Sequence, residues 1–257
     1  MAALEGFDTY EKDAVVTTPI LLGATLLSVA IPKGVCIGGI DVDVSDLDSN
    51  ATPLIALDVG DAADQDRYVA ASPIARDGGL LEYRPSNTDW YRYSAASAVL
   101  VKVATAPATG VAGAIAATVY GYPSADVAEL VRNTLRGLGV LAEGETARAE
   151  DAALALEALA EIHEMMRGKR IANRQDLAWP LAAVPTFAAR LYAAMAGNLL
   201  AATFGLSLQR MQAMAARAVE AERELRRQTA KGYSGKPVSL EPYREPETAV
   251  VDYAELG

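Results

Sequence analysis

At 257 residues, about half of them apolar, the chain exceeds the usual single-domain size and can bury two cores. Its net charge of −10 is split as 7 basic and 15 acidic residues over 1–123 and 16 and 18 over 124–257, so neither half has the basic excess that non-specific duplex binding draws on. A single cysteine, Cys36 in an apolar run, excludes an intramolecular disulfide and a multi-cysteine metal site, and reads as a buried, inert thiol.

Met1 to Tyr10 lacks a basic start and an apolar core, so no signal peptide is expected there. The longest apolar stretches are broken by Gly, Pro or charge short of a membrane span. Both features predict a chain that stays in a reducing, cytoplasm-like compartment until it assembles.

From Val15 to Tyr122 the pattern is strands and turns. Predicted strands cover 15–18, 24–29, 39–44, 54–59, 80–83, 98–103 and 114–120, separated by turn signals such as Pro32-Lys33-Gly34, Asp48-Ser49-Asn50 and Asp77-Gly78-Gly79. In 39–44, Ile40, Val42 and Val44 alternate with Asp41 and Asp43, which predicts one buried face and two solvent-facing aspartates. Many short strands with turns between them suggest an antiparallel β-sandwich over 1–122.

At Tyr122-Pro123-Ser124 the period changes from 2 to 3.6, with Ser124 the expected N-cap of a first helix through Val127, Leu130, Val131, Thr134 and Leu138 and Gly139 its stop. Thr146 is the expected cap of a second helix, whose apolar stripe is Ala152, Ala155, Leu156, Leu159, Ile162 and Met166 and whose end is Arg167-Gly168-Lys169-Arg170. Residues 171–185 read as irregular. A third helix is expected from Thr186 to Thr203. A fourth follows Ser207, with Leu208, Met211, Met214, Ala215, Ala218 and Leu225 on its apolar side. Beyond Lys231-Gly232, Pro237, Pro242 and Pro246 forbid a continuous helix, so 231–257 reads as an extended tail that orders on a partner. The expectation is an α+β chain in two domains, a sandwich (1–122) and a bundle of about four helices (123–230), followed by the tail.

Catalytic patterns are sparse. The lone histidine, His163, has no visible partner or pocket and reads as structural or solvent-facing. Neither a Gly-Lys-Ser/Thr phosphate loop nor a Gly-x-Ser-x-Gly elbow occurs, and no metal, cofactor or catalytic residue is assigned. The aspartates at 41, 43, 46, 48, 58, 61, 64 and 66 admit two readings, a calcium site between sandwich loops or a solvated acidic face. Thr88 to Tyr93 likewise admits a strand burying alternate side chains or a sugar-stacking surface, which makes Trp90, Tyr91 and Tyr93 candidate partner-binding residues.

The run Glu129-Leu130-Val131-Arg132-Asn133-Thr134-Leu135-Arg136-Gly137-Leu138-Gly139-Val140-Leu141-Ala142-Glu143-Gly144-Glu145, followed by an Ala, Leu and Glu helix, resembles the start of the phage head-to-tail connector adaptor family. Val184-Pro185 leading to Leu199-Leu200-Ala201-Ala202-Thr203-Phe204-Gly205 resembles that family's second helical pair, and the likeness covers roughly 124–230. It implies a non-enzymatic virion protein at the head–tail interface, made in the host cytoplasm. Twelve copies would form a ring beneath the portal protein, extend the DNA channel without gripping DNA, and carry the next tail or nozzle protein. It also implies that 231–257 reaches the portal, through Tyr233, Lys236, Pro237, Tyr243, Arg244 and Tyr253, and that no membrane is involved. The long β insertion that some short-tailed phage members carry between the second and third helices is missing, since only 171–185 is available. The resemblance leaves the β half unexplained. Its stretch 58–68 resembles small phage structural proteins, which suggests a fusion, with capsid, collar or fibre as the partner of that half. A competing reading is a virion binding module, a glycan- or capsid-binding sandwich on a helical stalk.

Overall fold

The computed structural model describes residues 7–86, 90–169, 171, 173–174 and 177–230. Nine strands come first: β1 (Asp8–Val16), β2 (Thr25–Ile31), β3 (Val35–Val44), β4 (Ala56–Gly60), β5 (Val69–Ser72), β6 (Gly79–Tyr83), β7 (Tyr91–Arg92), β8 (Ser97–Thr105) and β9 (Gly113–Pro123). All pair antiparallel, in two sheets. One runs β1-β9-β3-β6 with β7 also on β3, and the other runs β2-β8-β4-β5. Side chains from both sheets meet in one core, with Val29, Leu57, Val59, Val99 and Val101 facing Ile37, Ile40, Val42, Ile115 and Val119. The antiparallel sandwich expected from the sequence is what forms.

β5 has no counterpart among the expected strands, and β1 and β3 differ from expectation, each for a physical reason. β1 begins at Asp8 and ends at Val16, taking in the charged run Asp8 to Asp13 that carries little apolar signal. It lies at the sheet edge on β9, and its polar, exposed pattern suits an edge that must not recruit further strands. β3 is buried along its length except at Asp43, its outer side covered by the helical core at Cys36, by Phe7 at Gly38 and by Arg84 and Tyr120 at Asp41.

Four helices follow: α1 (Val127–Leu138), α2 (Ala149–Gly168), α3 (Thr186–Leu200) and α4 (Leu208–Ala230), with a two-residue β pair (Asn173–Arg174 on Leu177–Ala178) between α2 and α3. Antiparallel sheets in the first half and four helices in the second make the chain α+β. The helical core includes Leu130, Leu135, Leu159, Ile162, Tyr192 and Leu225, and it recruits Phe7, Cys36, Tyr120 and Tyr122 from the outer face of the β1-β9-β3 sheet. The helices therefore cover one end of that sheet's outer face, while Ala114 and Ala116 of β9 stay exposed.

Helix ends follow local chemistry, though not always at the expected residue. α1 is capped by Asp126, whose carboxylate accepts from Glu129 N–H at 2.6 Å, and not by Ser124. β9 continues through Pro123, and the Ser124 hydroxyl is committed to the Gly34 carbonyl. Gly139 ends α1 as expected, at φ +74°. α2 begins with Arg148 at its N-cap and no side-chain cap, so Thr146 does not cap it. α3 stops at Leu200, three residues early, and a turn to Gly205 (φ +65°) precedes α4, where Ser207 Oγ accepts from Arg210 N–H at 3.4 Å. The buried stripe of α2 is Ala155, Ala158, Leu159, Ile162, His163 and Met166. Leu156, expected inside, is 42% exposed.

Candidate interaction surfaces and buried polar sites

The segment Trp90 to Tyr93 folds as a seam between the layers. Tyr91 and Tyr93 turn toward the sandwich core, their rings meeting edge to face at 4.9 Å. Tyr93 is 3% exposed and its hydroxyl bonds that of Tyr68 at 3.0 Å, so it has no surface left for a ligand. Burial raises the pKa of both phenols. Tyr91 is half-buried under the Arg67 guanidinium, 3.9 Å from the ring centroid, so Tyr91 stacks on the chain's own cation. Trp90 faces the other way and packs edge-on against Tyr122 at 5.9 Å. A strand that buries alternate side chains is the reading the geometry fits. Thr88 and Asp89 lie outside the described residues.

Arg92, which carried no signal of its own, ties the seam. Its Nε reaches Ser124 Oγ at 3.1 Å and its Nη2 the Ser124 carbonyl at 3.2 Å. Ser124 N–H in turn donates to the Gly34 carbonyl, Ala125 N–H to the Val184 carbonyl, and the Tyr122 hydroxyl to the Ala183 carbonyl at 2.9 Å. The step from β9 into α1 is thereby bound both to the β3 side and to the segment before α3.

The acidic residues do not gather. Asp41, expected at the surface, is 2% exposed on the outer face of β3, where it accepts from Arg84 at 2.6 Å and from the Tyr120 hydroxyl at 3.1 Å. Covering that face with Tyr120 and Arg84 is what removes Asp41 from water, while Asp43 stays exposed as expected. Asp48 is 1% exposed and closes the sandwich end away from the helices. Its carboxylate accepts backbone N–H bonds from Leu54, Ala108 and Thr109 at 2.8 Å each and from Ile55 at 3.3 Å. Burial alone pushes that carboxyl up, but these amides outweigh it and hold it well below the usual carboxylate range. Asp61 is a third, separate site, with Arg67 at 2.8 Å and the Ala63 and Asp64 amides at 2.8 and 2.9 Å. Each carboxylate is satisfied by donors of its own, and among the described residues no three His, Cys, Asp or Glu side chains are placed to hold a metal ion.

His163 is buried between α2 and α3, its Nδ1 3.3 Å from the Tyr192 hydroxyl. Burial holds its pKa down at about 4. That makes it a neutral, structural ring, one of the two readings left open by the sequence. Cys36 is fully buried, and burial pushes its thiol up to about 12, the inert state expected.

The open surfaces among the described residues include three of note. Between α1 and α2 lies a groove of about 670 Å³, lined by Val127, Ala128, Val131, Ala147, Ala149, Ala152, Ala153 and Leu156 with Arg132 and Glu145 also in its wall. At the far end of the sandwich Leu21 (62% exposed), Leu22 (69%) and Leu54 (50%) stand on the loops that follow β1 and β3. A second groove, between α1, α3 and α4, carries Arg190 and Arg217. The tail candidates Tyr233, Lys236, Pro237, Tyr243, Arg244 and Tyr253 lie outside the described residues. Among the described residues, no helix is long and apolar enough to cross a membrane.

No protein-family model matches the chain, and neither does any curated protein. Among solved structures, a chain in the capsid of Ralstonia phage GP4 is 24% identical over 49% of this chain and 90% of its own length, with a TM-score of 0.41. A chain of the Cyanophage Pam1 capsid asymmetric unit is 28% identical over 45% and 84%, TM-score 0.38. One from the acidic stable capsid structure of Helicobacter pylori bacteriophage KHP30 is 16% identical over 45% and 89%, TM-score 0.34. At such TM-scores none of the three carries an argument about this chain.

Proposed function

We propose that the chain is a non-catalytic structural subunit of a phage virion, and more narrowly a head-to-tail adaptor that closes into a ring beneath the portal. The observation that carries this is the open α1–α2 groove. Its walls are mostly alanine and valine, it exposes Leu156, and nothing within the described residues fills it. Small side chains let a neighbouring element approach closely. A groove on one side of a subunit that is filled by a different surface of the next generates a closed ring once the rotation closes. The adaptor-like run 129–145 builds one wall of this groove and the turn at its mouth.

In this reading the helical half makes the ring, twelve copies with an acidic chain around the DNA. The tail 231–257 contacts the portal through Tyr233, Lys236, Pro237, Tyr243, Arg244 and Tyr253, and a tail or nozzle protein docks below. The sandwich, 1–122, faces outward. Its exposed Leu21, Leu22 and Leu54 are better placed to meet capsid, collar or fibre than Trp90 and Tyr91, which are half-buried in the seam, or Tyr93, which is buried. Exposed Leu21, Leu22 and Leu54, the last with its N–H bound by Asp48, also favour the second reading, a virion binding module on a helical stalk.

The test is native mass spectrometry and negative-stain imaging of the purified chain with and without a portal ring. The adaptor reading expects a closed ring on the portal, and a chain cut after Ala230 that keeps its fold but no longer docks. A chain that stays monomeric beside the portal overturns it. Capture of capsid or glycan by that monomer, lost on Leu21→Asp/Leu22→Asp, would establish the binding module instead.

A further inference from the structure

Residues 177–219 contain Arg190, Arg210 and Arg217 and not one Asp or Glu, in a chain whose net charge is −10. The fold gathers these cations on one face. Arg190 of α3 and Arg217 of α4 flank a groove of about 250 Å³ that also has Asn133 and Gly137 of α1 in its wall and Ala193, Ala194 and Met214 as its apolar floor. Arg210 lies beside the end of α1, where a Cβ on Gly139 would sit 2.7 Å from its Nη2. Several other basic residues at the helices are paired, Arg226 and Lys169 with Glu222, Arg227 with Glu224, and Arg167 with Glu164. Among the described residues Arg190, Arg210 and Arg217 have no acidic partner of this kind.

The chain carries a segment of the opposite character. After Arg244 come Glu245, Glu247, Asp252 and Glu255 with no Lys or Arg, and among them Val250, Val251, Tyr253 and Leu256. Two guanidiniums above an apolar floor suit such a peptide, since carboxylates are the partners of arginine forks and the valines match the alanine and methionine surface. The reach is sufficient. From Arg217 to the end of α4 at Ala230 is about 20 Å of helix, and residues 231–244 span up to roughly 46 Å when extended.

We propose that residues 245–257 dock in the Arg190–Arg217 groove of their own copy. Glu247 and Asp252 meet the two arginines, and Val250-Val251 lies on Ala193, Ala194 and Met214. The tail is then divided by chemistry. Residues 231–244, with Lys236 and Arg244, serve the outside partner, and the acidic end, Tyr253 included, serves the fold. This goes beyond the adaptor reading and holds whether or not the chain meets a portal.

The experiment uses the full chain with a benzophenone amino acid at Tyr253, irradiated as an equal mixture of light and isotopically heavy copies. Crosslinks are expected on peptides spanning 190–217, light to light and heavy to heavy. Arg190→Glu/Arg217→Glu, both exposed positions, should lower their yield roughly fivefold or more. Raising salt to about 0.5 M should do the same. Adding Glu247→Arg/Asp252→Arg to the arginine double variant should restore them. Crosslinks that map elsewhere, join light to heavy, survive the reversal, or are absent altogether overturn the proposal. Retention of the crosslink in a chain that never binds the portal counts against the adaptor reading alone.

Discussion

His163 and Tyr192 form a contact whose strength depends on pH in a defined direction. The folded chain holds the imidazole at about 4, against the ordinary value near 6.5, because protonation would put a charge in the helical core. Above that ordinary value both states are neutral and the residue adds no pH dependence. Between about 6.5 and 4 the unfolded chain takes the proton and the folded one does not, so stability falls as pH falls, by about 2–3 kcal/mol across the window. Urea unfolding from pH 7 to 4.5 should show this slope in the native chain and a flatter one in His163→Leu; equal slopes would contradict it. Asp41 gives a second prediction at the same scale. Removing its cation in Arg84→Met leaves a buried carboxylate with only the Tyr120 hydroxyl, a loss of about 3 kcal/mol. Adding Asp41→Asn to that variant should recover part of the loss.

Among the elements, β3 decides how the layers meet. Its register on β9 shifts between Ile37 and Gly39, a bulge that leaves both Ile37 and Ile40 in the sandwich core. At Gly38 an added Cβ would collide with the Phe7 ring, so the absence of a side chain lets that ring approach the strand and join the helical core. Gly38→Ala is therefore expected to cost about 1–3 kcal/mol in chemical unfolding. An unchanged midpoint would mean that Phe7 does not need that contact. The reason for a glycine at 38 depends on a ring thirty-one positions earlier, which no local pattern shows. For α2 the stripe was legible but its rotation was not. Ala, Leu and Glu alternate so evenly that Leu156 and His163 exchange places with little change in apolar pattern, and only packing on α3 settles which one is inside.

For the molecule as a whole, the exposed Leu156 in the α1–α2 groove ties fold to function. Leu156→Glu should keep the unfolding curve of the parent chain while weakening self-association in sedimentation velocity. Undiminished assembly would remove that groove from the ring contact. What the sequence determined alone was local: the strand and helix periods, the change at 122–124, the Gly139 stop, the Ser207 start and the inert Cys36. These depend on neighbours within a few positions, where backbone chemistry acts without the rest of the chain. Only the tertiary structure decided which end of the β1-β9-β3-β6 sheet the helices cover, and likewise the burial of Asp41, the inward turn of Tyr93 and the clamp of Arg92 on Ser124. A strand's alternation shows that it has two faces. Whether the second meets water or other side chains depends on residues distant in the chain, for Asp41 on Arg84 and Tyr120 at 43 and 79 positions away, and desolvation follows that choice.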